Sequence, residues 1–478
     1  MKVVLLAPPR RKNVPVMREY RCEHLSTARV DTPATLLQVA SQLRQDGHDV
    51  TLIDANANNF TLDDLQSQLR GMRYDCAVIA LAHFMLEADL KSAELVKRMN
   101  PATRTMGISW HCRHHAQHIL DKSPALDMLI TGNPLSVMAP LLRSLVRSKE
   151  LDNIRGLSYG KDDRVVTIEG EGDRVRLDEL PPPAYDLLAS FDPYYIVDPL
   201  LSPYALVYSG QGCPYRCNYC CVAGTPYSSK SADQLLEELR ILVSRGVRYV
   251  CFHDEVFTLN RRRTLEICQR MIDEDLWVRW FCDTRVDLVD RELLMAMRKA
   301  GCIGLSYGVE SGSQEILDAM RKGCTVEQAE NALRWTKRAH IPIKANLMLG
   351  YVGESQWSVS ETKAFVHRTM PDMVKVAGTG ILPGTELARI ALQKGWNGEG
   401  GNGLDEIENQ FKVDVPAERR EIMNVLREDP RWWASSLRTL IYNPELVLGL
   451  CGVFARSLER KASRMRRRGY GIDGLDGL

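Results

Sequence analysis

The sequence Ser209-Gly-Gln-Gly-Cys213-Pro-Tyr-Arg-Cys217-Asn-Tyr-Cys220 follows directly after an apolar segment that predicts a β-strand. Its cysteines have the spacing CxxxCxxC. Three thiolates on one such loop can each reach one iron of a [4Fe–4S] cubane, for which four cysteines are the usual ligands. Three cysteines therefore leave one iron open to a small molecule. Gly210 and Gly212 allow the backbone to fold tightly around a cluster.

A structural zinc site is the alternative interpretation of these cysteines. Such a site takes four Cys or His ligands, commonly in two paired spacings, and no CxxC or HxxxH pattern follows the loop. The sequence therefore favours an iron–sulfur cluster. Cys221 follows Cys220 too closely to bind the same cluster easily. We interpret Cys221 as a buried spare thiol, with a hydrogen-atom donor or a ligand of a second site as the alternative.

The region around this loop alternates apolar strands with helical patterns. Six strand–helix units within residues 199–390 predict a partial (β/α)6 barrel of TIM-like type. Active sites of such barrels lie at the carboxyl ends of the strands, where the cysteine loop falls. The predicted strands are Ala205–Tyr208, Arg248–Phe252, Val278–Cys282, Ile303–Gly308, Ile343–Met348 and Met373–Ala377.

Residues 1–150 also alternate strands with helices. This pattern predicts an α/β, doubly wound domain of Rossmann or flavodoxin type with a parallel sheet. The predicted strands are Val3–Leu6, Val50–Ile53, Cys76–Leu81, Thr103–Ile108 and Met128–Thr131, and the predicted helices are Pro33–Asp46 and Leu86–Met99.

The remaining segments are interpreted as connections and a C-terminal region. Residues 151–198 predict a hairpin, Leu157–Tyr159 with Val165–Ile168, and then a linker broken by Pro181–Pro183. Residues 391–478 predict a mainly helical region. Within it we expect a flexible stretch, a cationic helix and two core tryptophans, with substrate packing as the alternative for the tryptophans: Gly398–Gly403, Glu445–Arg468, Trp432 and Trp433.

Composition and charge bound the function. The net charge of +1 predicts no overall attraction to nucleic acid or to an anionic membrane. No apolar run approaches the roughly 20 residues that span a bilayer, and the N-terminus lacks the pattern of a signal peptide. The 13 cysteines are mostly scattered singly, which favours a reducing compartment. We expect a cytoplasmic protein with no nucleic-acid partner and no integral membrane segment.

The cysteine motif resembles the signature of the radical S-adenosylmethionine (SAM) enzymes, in which an aromatic residue precedes the last cysteine. The resemblance implies that SAM chelates the open iron, and that one-electron reduction yields methionine and a 5′-deoxyadenosyl radical. Segments at the ends of later strands resemble further motifs of the family, ending with Ile381–Thr385. The SAM contacts implied by this resemblance are Tyr219, Asp254, Glu255, Arg285, Glu310, Ser311 and Gly350.

The doubly wound domain resembles the cobalamin-binding domain of B12-dependent radical SAM proteins. The matching segments are Val4–Pro9, Pro33–Ala40, Gly47–Asp54, Tyr74-Asp75 and Asp178–Pro183. Ligands of such sheets lie beyond the carboxyl ends of the strands at a topological switch point. The resemblance therefore places the corrin among Pro8, Ala82–Phe84, Gly107–His111 and Thr131–Asn133, with contacts at Pro8, Phe84, Gly107, Ser109, His111, Thr131 and Gly132.

Two turns depart from the family's pattern. Gly107–Cys112 takes the place of Gly-Gly-x-His-x-Thr, and Gly132–Leu135 takes the place of Gly-Glu-Gly-Glu. The chain also lacks DxHxxG, which supplies a lower axial histidine in other cobalamin proteins. We therefore expect base-off cobalamin without a histidine ligand, and interpret His111, His114 and His115 as surface or turn residues. A domain that keeps the fold but has lost or changed its ligand is the alternative.

Together the resemblances predict a class B-like methyltransferase. It would cleave SAM at the cluster and, with cobalamin, methylate an unactivated carbon of a small-molecule or natural-product substrate. A flavodoxin- or ferredoxin-type reductase would supply single electrons. The alternatives are a cobalamin-assisted cyclase or ring-contraction enzyme, and a methylthiotransferase, whose additional cysteines would be Cys22, Cys76 and Cys112 despite flanks that do not match. The complete cysteine motif argues against a non-catalytic cobalamin carrier or sensor.

Overall fold

A computed structural model describes residues 1–11, 13–19, 22–25, 29–162, 164–196, 201–393 and 415–432. Each half of the chain is built on one mainly parallel sheet, and helices cover both sheets. The sequence predictions at Gly398–Gly403, Glu445–Arg468 and Trp433 lie outside the described residues.

The N-terminal half alternates short strands with helices as predicted. Its strands are β1 (Lys2–Ala7), β2 (Val16–Glu19), β3 (Cys22–Leu25), β4 (Arg29–Val30), β5 (Asp49–Asp54), β6 (Cys76–Ala80), β7 (Arg104–Ile108), β8 (Met128–Ile130), β9 (Leu157–Lys161) and β10 (Arg164–Ile168). Its helices are α1 (Ala34–Gln45), α2 (Leu62–Leu69), α3 (Leu86–Met99), α4 (Ala116–Lys122) and α5 (Pro134–Val146).

The first sheet has the strand order β10-β9-β8-β7-β6-β1-β5. The five strands from β8 to β5 are parallel and follow the flavodoxin-like order, so the predicted doubly wound fold is confirmed. Strands buried on both faces are continuously apolar, and Val4, Leu5 and Leu6 are accordingly at most 1% exposed. The order reverses between β1 and β6, which makes the carboxyl ends of these two strands the switch point.

The predicted hairpin is present and also extends this sheet. β9 pairs antiparallel with β8, and β10 pairs antiparallel with β9. A close backbone approach makes this possible, because a Cβ built on Gly132 would lie 2.8 Å from Gly156 Cα. The amides of Thr131 and Gly132 both donate to the Gly156 carbonyl, at 2.9 and 3.0 Å. Gly132 therefore serves to join the hairpin to the sheet.

The C-terminal half carries the second sheet. Its strands are β11 (Tyr195–Ile196), β12 (Tyr204–Val207), β13 (Gly210–Gln211), β14 (Ser228–Ser229), β15 (Tyr249–Phe252), β16 (Arg279–Arg285), β17 (Cys302–Glu310), β18 (Ile343–Leu349) and β19 (Met373–Gly378). Its helices are α6 (Ala232–Ser244), α7 (Arg261–Asp273), α8 (Arg291–Lys299), α9 (Gln314–Ala319), α10 (Val326–Arg338), α11 (Gln356–Thr369), α12 (Glu386–Gln393) and α13 (Pro416–Arg427).

Six strands of this half form the partial barrel that the sequence predicts. They are parallel and neighbour one another in chain order, β12-β15-β16-β17-β18-β19. Side chains alternate along each strand, and in β18 the buried residues Ile343 and Ala345 alternate with the half-buried Lys344 and Asn346. The helices cover the apolar face, so the polar side chains line the lumen.

The N-terminal half covers the open edge of β12. The Leu206 amide donates to Thr32 Oγ1 at 2.9 Å, where a further strand would otherwise pair. Tyr204 Oη donates to Asp31 Oδ1 at 2.8 Å and accepts from Arg29 Nη2 at 3.0 Å. Unpaired edge strands are prone to non-native pairing. The segment that contains β4 therefore both links the two halves and protects this edge.

Loops from the carboxyl ends of the two sheets meet. Asn133 Nδ2, after β8, donates to Gln211 Oε1, after β12, at 3.4 Å. A Cβ built on Gly384, after β19, would lie 2.4 Å from Nε2 of His114, after β7. The switch point of the first sheet and the mouth of the barrel therefore face the same region.

The described part of the C-terminal region packs on the outside of the barrel. Helix α13 contacts α11, and Trp432 Nε1 donates to the Pro371 carbonyl at 2.9 Å, just before β19 begins. This position is at the amino end of β19, so Trp432 is a packing residue. No helix among the described residues is long and apolar enough to cross a bilayer.

The contact between Gly132 and Gly156 predicts a specific packing defect. We expect Gly132→Ala to lower the free energy of unfolding by about 1–3 kcal/mol, because the new methyl group meets backbone atoms. Gly160→Ala is the matched control, since a Cβ there has nothing within 4 Å. Denaturant titration of both variants measures the difference. Equal unfolding midpoints for the two variants would contradict the close approach.

Candidate functional site

The cysteine loop begins where β12 ends. Cys217 is 7% exposed, while Cys213 and Cys220 are half-buried. Gly212 has φ of +90°, and a Cβ there would lie 2.0 Å from the Pro226 carbonyl oxygen. Only glycine fits this turn, which confines the three thiols to one side of the barrel mouth.

The thiols suit a cubane better than a mononuclear metal. Burial raises the pKa of the Cys220 thiol to about 12, with a further contribution from Cys221, and burial also raises the pKa of Cys213. Metal binding would therefore release protons from these thiols. Among the described residues, no group of three His, Cys, Asp or Glu side chains is arranged around a single ion. A cubane needs no such group, because each cysteine binds a different iron.

Two acidic side chains after β15 brace the start of the loop. Asp254 accepts the Ser209 amide at 2.7 Å and the Ser209 hydroxyl at 2.5 Å, and Glu255 accepts the Gly212 amide at 3.0 Å. Arg263 Nη2 donates to the Ser209 carbonyl at 3.0 Å. Burial raises the pKa of Asp254 to about 6, mainly by desolvation. Asp254 and Glu255, predicted as SAM contacts, therefore hold the backbone that presents the cysteines.

The second half of the loop is held by Asn218. Its amide donates to the Met320 carbonyl at 3.1 Å, and its side-chain Nδ2 donates to the Ala319 carbonyl at 2.8 Å. Its Oδ1 accepts from Tyr351 Oη at 2.6 Å, and its carbonyl accepts from the Leu387 amide at 2.8 Å. Asn218 thus ties the cluster loop to α9, α12 and the turn after β18.

A buried ion pair stands beside the predicted aromatic residue of the motif. Lys322 Nζ donates to Glu310 Oε1 at 3.0 Å and to Tyr219 Oη at 3.3 Å. Burial alone would lower the pKa of Lys322, but the Glu310 carboxylate outweighs it and raises the pKa above its ordinary value. Glu310 has φ of +68° at an irregularity in the pairing of β17 with β18. Such bulges re-aim side chains next to active sites.

Arg285 connects this pair to the cysteines. Its Nη2 donates to the Lys322 carbonyl at 2.7 Å, and its Nη1 lies 3.9 Å from Cys217 Sγ. The guanidinium pairs with Asp287 at 2.9 Å and stacks 3.7 Å from the Tyr215 ring centre. A fixed cation therefore stands next to a thiol that would become negative on binding iron.

Ser311 and Gly350 have other partners. Ser311 Oγ is fully buried and shares a hydrogen bond with Thr362 Oγ1 at 3.2 Å. The Gly350 amide donates to Glu354 Oε2 at 2.5 Å, while Glu354 Oε1 is buried without a hydrogen-bond partner among the described residues. Ser311 therefore packs beneath the turn that follows β17. Glu354 Oε1 can accept a hydrogen bond from a further donor.

The hairpin β2–β3 lies over the switch point of the first sheet. Arg18 forms a buried ion pair with Asp89 at 2.7 Å and donates to the Pro8 carbonyl at 3.0 Å. Asp89 also accepts the Ala82 amide at 2.9 Å. The hairpin is therefore fastened to the carboxyl ends of both β1 and β6.

Glu23 of this hairpin joins residues that follow two strands. It accepts from the His83 amide at 2.6 Å, from His83 Nδ1 at 2.7 Å and from Ser109 Oγ at 2.8 Å. Burial opposes ionisation of Glu23, but the hydrogen bond from His83 and the charge of His111 outweigh it and lower its pKa. The His83 ring lies 5.1 Å from the rings of both Phe84 and His111.

The other predicted cobalamin contacts lie elsewhere. Gly107 is inside β7, where a Cβ would meet the Leu81 side chain at 2.5 Å, and Thr131 and Gly132 bind the hairpin β9–β10. The structure brings together Pro8, Phe84, Ser109 and His111 around the hairpin β2–β3, and it leaves Gly107, Thr131 and Gly132 outside that group.

Sequence reasoning missed several residues of the site. Asn218 lies inside the cysteine motif, which is the signal that could have found it. Thr225 accepts the Cys213 amide at 3.0 Å from a loop without a motif. Lys322 and Glu23 have partners that are distant in the sequence, Arg285 and His83, so no local pattern marks them.

Comparison with known proteins agrees with this geometry. Residues 207–366 match the model of the radical SAM superfamily. An uncharacterized methyltransferase of Pyrococcus horikoshii is 26% identical over 396 residues, which cover 82% of this chain and 83% of that protein. The anaerobic magnesium-protoporphyrin IX monomethyl ester cyclase of Rubrivivax gelatinosus is 27% identical over 72% of this chain, and the alignment spans 63% of the cyclase.

Two solved structures share the architecture of both halves. The cobalamin-dependent SAM radical enzyme OxsB, with aqua-cobalamin and SAM bound, has a TM-score of 0.71 at 15% identity, covering 99% of this chain and 82% of OxsB. The radical SAM methyltransferase TsrM of Kitasatospora setae, with cobalamin and a [4Fe–4S] cluster bound, has a TM-score of 0.69 at 15% identity, covering 90% and 91%. At this identity the likeness establishes the fold.

The cysteine loop predicts that substitutions of Cys217 and Cys221 have opposite effects on binding of the iron–sulfur cluster. We expect Cys217→Ala to lose the visible iron–sulfur absorption after anaerobic reconstitution, because two thiols hold a cubane poorly. Cys221 is half-buried rather than buried as expected. Cys221→Ala should keep the absorption, because this thiol lies outside the CxxxCxxC spacing. Iron and sulfide analysis of both variants is the measurement. Loss of iron in Cys221→Ala would instead assign that thiol to a metal site.

The pair of Lys322 and Glu310 predicts a large stability effect. Their side chains are 6% and 13% exposed. Lys322→Met leaves a buried carboxylate unpaired, so we expect unfolding to become easier by about 3–5 kcal/mol. Lys91→Met is the control, since its pair with Glu87 is exposed and contributes about 0.5 kcal/mol or less. Denaturant titration compares them, and similar losses would show that Glu310 has another counter-ion.

Three independent features agree on identity: the cysteine loop at the mouth of a partial barrel, the match of residues 207–366, and a doubly wound domain whose carboxyl edge faces that mouth. The radical SAM domain implies a [4Fe–4S] cluster and SAM. Residues 207–366 form a radical SAM domain, and the chain has the overall fold of OxsB and TsrM.

Proposed function

We propose that this enzyme uses cobalamin and SAM to methylate an unactivated carbon of a small molecule. The observation that carries the proposal is the meeting of the two carboxyl edges, through Asn133 with Gln211 and His114 with Gly384. A reaction that needs two cofactors next to one substrate requires such an arrangement. The names of the methyltransferase relative and of TsrM support methyl transfer.

The chain's own residues would prepare the site as follows. Cys213, Cys217 and Cys220 hold the cluster, and Arg285 balances the charge next to Cys217. Lys322 orients Glu310 toward the mouth for SAM. When bound, the cluster and SAM supply a carbon-based radical, and cobalamin supplies the methyl group.

The barrel lumen is the proposed place for the substrate. Asn346 Nδ2 donates to Ser306 Oγ at 2.9 Å. Lys344 lies two residues earlier on the same face of β18 and is half-buried. Burial lowers the pKa of Lys344, and the Asp283 carboxylate opposes that shift. Polar side chains with fixed orientation favour a small polar substrate over an apolar one.

A cobalamin-assisted cyclase is the second candidate. The cyclase of Rubrivivax gelatinosus aligns over 358 residues, more than either half of this chain contains. This outcome would use the radical and cobalamin without transferring a methyl group to the product.

A methylthiotransferase has less support. Relatives named so align over only 38% and 34% of this chain. Cys76 begins β6 and Cys112 follows β7. The two cysteines therefore lie at opposite ends of these parallel strands, and both are fully buried. Two such thiols do not meet at a second cluster.

The enzyme also requires a source of single electrons, for which we propose a flavodoxin- or ferredoxin-type reductase. The described cysteines are free thiols, which supports a reducing compartment such as the cytoplasm.

Cofactor and product analysis tests this function. After anaerobic reconstitution with iron, sulfide and hydroxocobalamin, we expect about four irons and equimolar cobalamin per chain. With SAM and a one-electron reductant, both 5′-deoxyadenosine and S-adenosylhomocysteine should form. Cys217→Ala is the control and should lose 5′-deoxyadenosine.

The other outcomes separate the alternatives. Iron without cobalamin would leave a radical SAM enzyme that does not use B12. Cobalamin with 5′-deoxyadenosine but no S-adenosylhomocysteine would favour the cyclase. About eight irons, as expected for two cubanes, would revive the methylthiotransferase.

A further inference from the structure

The lumen of the barrel carries a row of polar side chains below the cysteine loop. Asp283 of β16, Ser306 of β17 and Lys344 of β18 are register partners on neighbouring strands. Partners in one row of a parallel sheet point to the same face, because side chains alternate along each strand. All three side chains are half-buried on the lumenal face. They therefore stand side by side on the barrel wall.

A second row lies nearer the cysteine loop. Its members, again register partners from β16 to β19, are Arg285, Gly308, Asn346 and Lys375. Arg285 Nη1 lies 3.9 Å from Cys217 Sγ. Two residues along a strand span about 7 Å, so the first row is about that much deeper in the barrel than the second.

Lys344 has no counter-ion in its row. Its ammonium group forms no hydrogen bond or ion pair with a described residue, and neither does the Asp283 carboxylate. Burial lowers the pKa of Lys344, the Asp283 carboxylate opposes that shift, and the charge of Lys375 adds to it. A partly buried ammonium group without a partner is unfavourable. Binding of an anion would therefore stabilise the charged form of Lys344.

The charges around Lys344 leave this part of the lumen positive. Arg29 acts on Lys344 electrostatically, but Asp31 matches its charge in a largely buried ion pair. Asp283 can match the charge of Lys344 or that of the exposed Lys375, and not both. One positive charge therefore remains, and an anionic group of a bound molecule would balance it.

Ser306 supplies a hydrogen-bond donor at the same place. Its Oγ accepts from Asn346 Nδ2 at 2.9 Å, and the same Nδ2 also donates to the Tyr307 carbonyl at 3.1 Å. Both protons of this amide are used, so the orientation of Asn346 is fixed. The Ser306 hydroxyl proton has no acceptor within the described part of the chain. It can be donated to an anion next to Lys344.

Resting on the proposed function, which places the substrate in this lumen, we infer that Lys344, Lys375 and Ser306 bind an anionic group of the substrate, either a carboxylate or a phosphate. Both groups accept charge-assisted hydrogen bonds from ammonium groups. The anionic end of the substrate then lies deep in the barrel, and its reacting carbon lies toward the cysteine loop. Asp283 disfavours a second anionic group in the same row, because like charges repel.

Chemical labelling of the full-length, reconstituted protein tests this site without relying on activity. Formaldehyde and dimethylamine–borane are both uncharged and methylate unprotonated lysine amines, and mass spectrometry of peptides gives the rate at each lysine. We expect sodium phosphate or sodium acetate, at about twice its dissociation constant, to slow methylation of Lys344 about threefold by mass action. Sodium chloride at the same pH and ionic strength should have no such effect. Lys337 is the matched control, because it is half-buried on α10 and burial also lowers its pKa.

Variants separate a specific site from general screening by salt. In Lys375→Met, phosphate and acetate should protect Lys344 less, whereas in Lys91→Met, on α3, the protection should be unchanged. Protection by phosphate alone would identify a substrate that carries a phosphate. Protection by acetate, with or without phosphate, would identify a carboxylate, and either result supports the inference.

Four results would overturn the inference. They are equal rates in all three salts, equal protection of Lys344 and Lys337, protection that is unchanged in Lys375→Met, and a Lys344 that is not methylated at all. Protection by SAM alone would assign Lys344 to that cofactor and would overturn the inference too. None of these results affects the proposed methyl transfer, which fails instead if the protein binds no cobalamin.

Discussion

The site depends on two carboxylates, in the loop after β15, that hold the segment carrying the cysteines. Asp254 and Glu255 occupy the donors of Ser209 and Gly212, and Asn218 fastens the far end. Buried backbone amides must find acceptors, and here the acceptors come from the loop after β15. The cysteines are therefore positioned by side chains that bind the backbone of their loop. Residues predicted as cofactor contacts from motif resemblance act on the loop that presents the cofactor.

Two buried ion pairs hold segments of the structure in place. Arg18 with Asp89 joins the hairpin to the first sheet, and Lys322 with Glu310 stands beside the cluster loop. Such pairs contribute little net stability compared with apolar residues of equal volume, because both ions lose their hydration. The pairs instead fix the positions of their side chains, since each ion has only one place where an opposite charge balances it. Both pairs lie where a cofactor is proposed to bind.

Much of the fold could be predicted from local patterns in the sequence. Apolar strands alternating with helices predicted both sheets, and the cysteine spacing located the barrel mouth, because these signals lie within short windows. The role of Gly132 and the sheet extension by the hairpin could not be predicted, since they depend on a backbone approach between distant residues. Glu23 and His83 are 60 residues apart. Their contact exists only after the hairpin folds over the sheet, so no single segment carries its signature.

Thr32 donates and accepts at the free edge of β12, through Leu206. A partial barrel with such an open edge needs a segment from outside the barrel to cover that edge. Excising the barrel would remove the segment of Thr32 from that edge and would leave a pairing surface for a second copy. A different N-terminal domain joined to this barrel would therefore have to supply the acceptor and the donor that Thr32 provides at this edge.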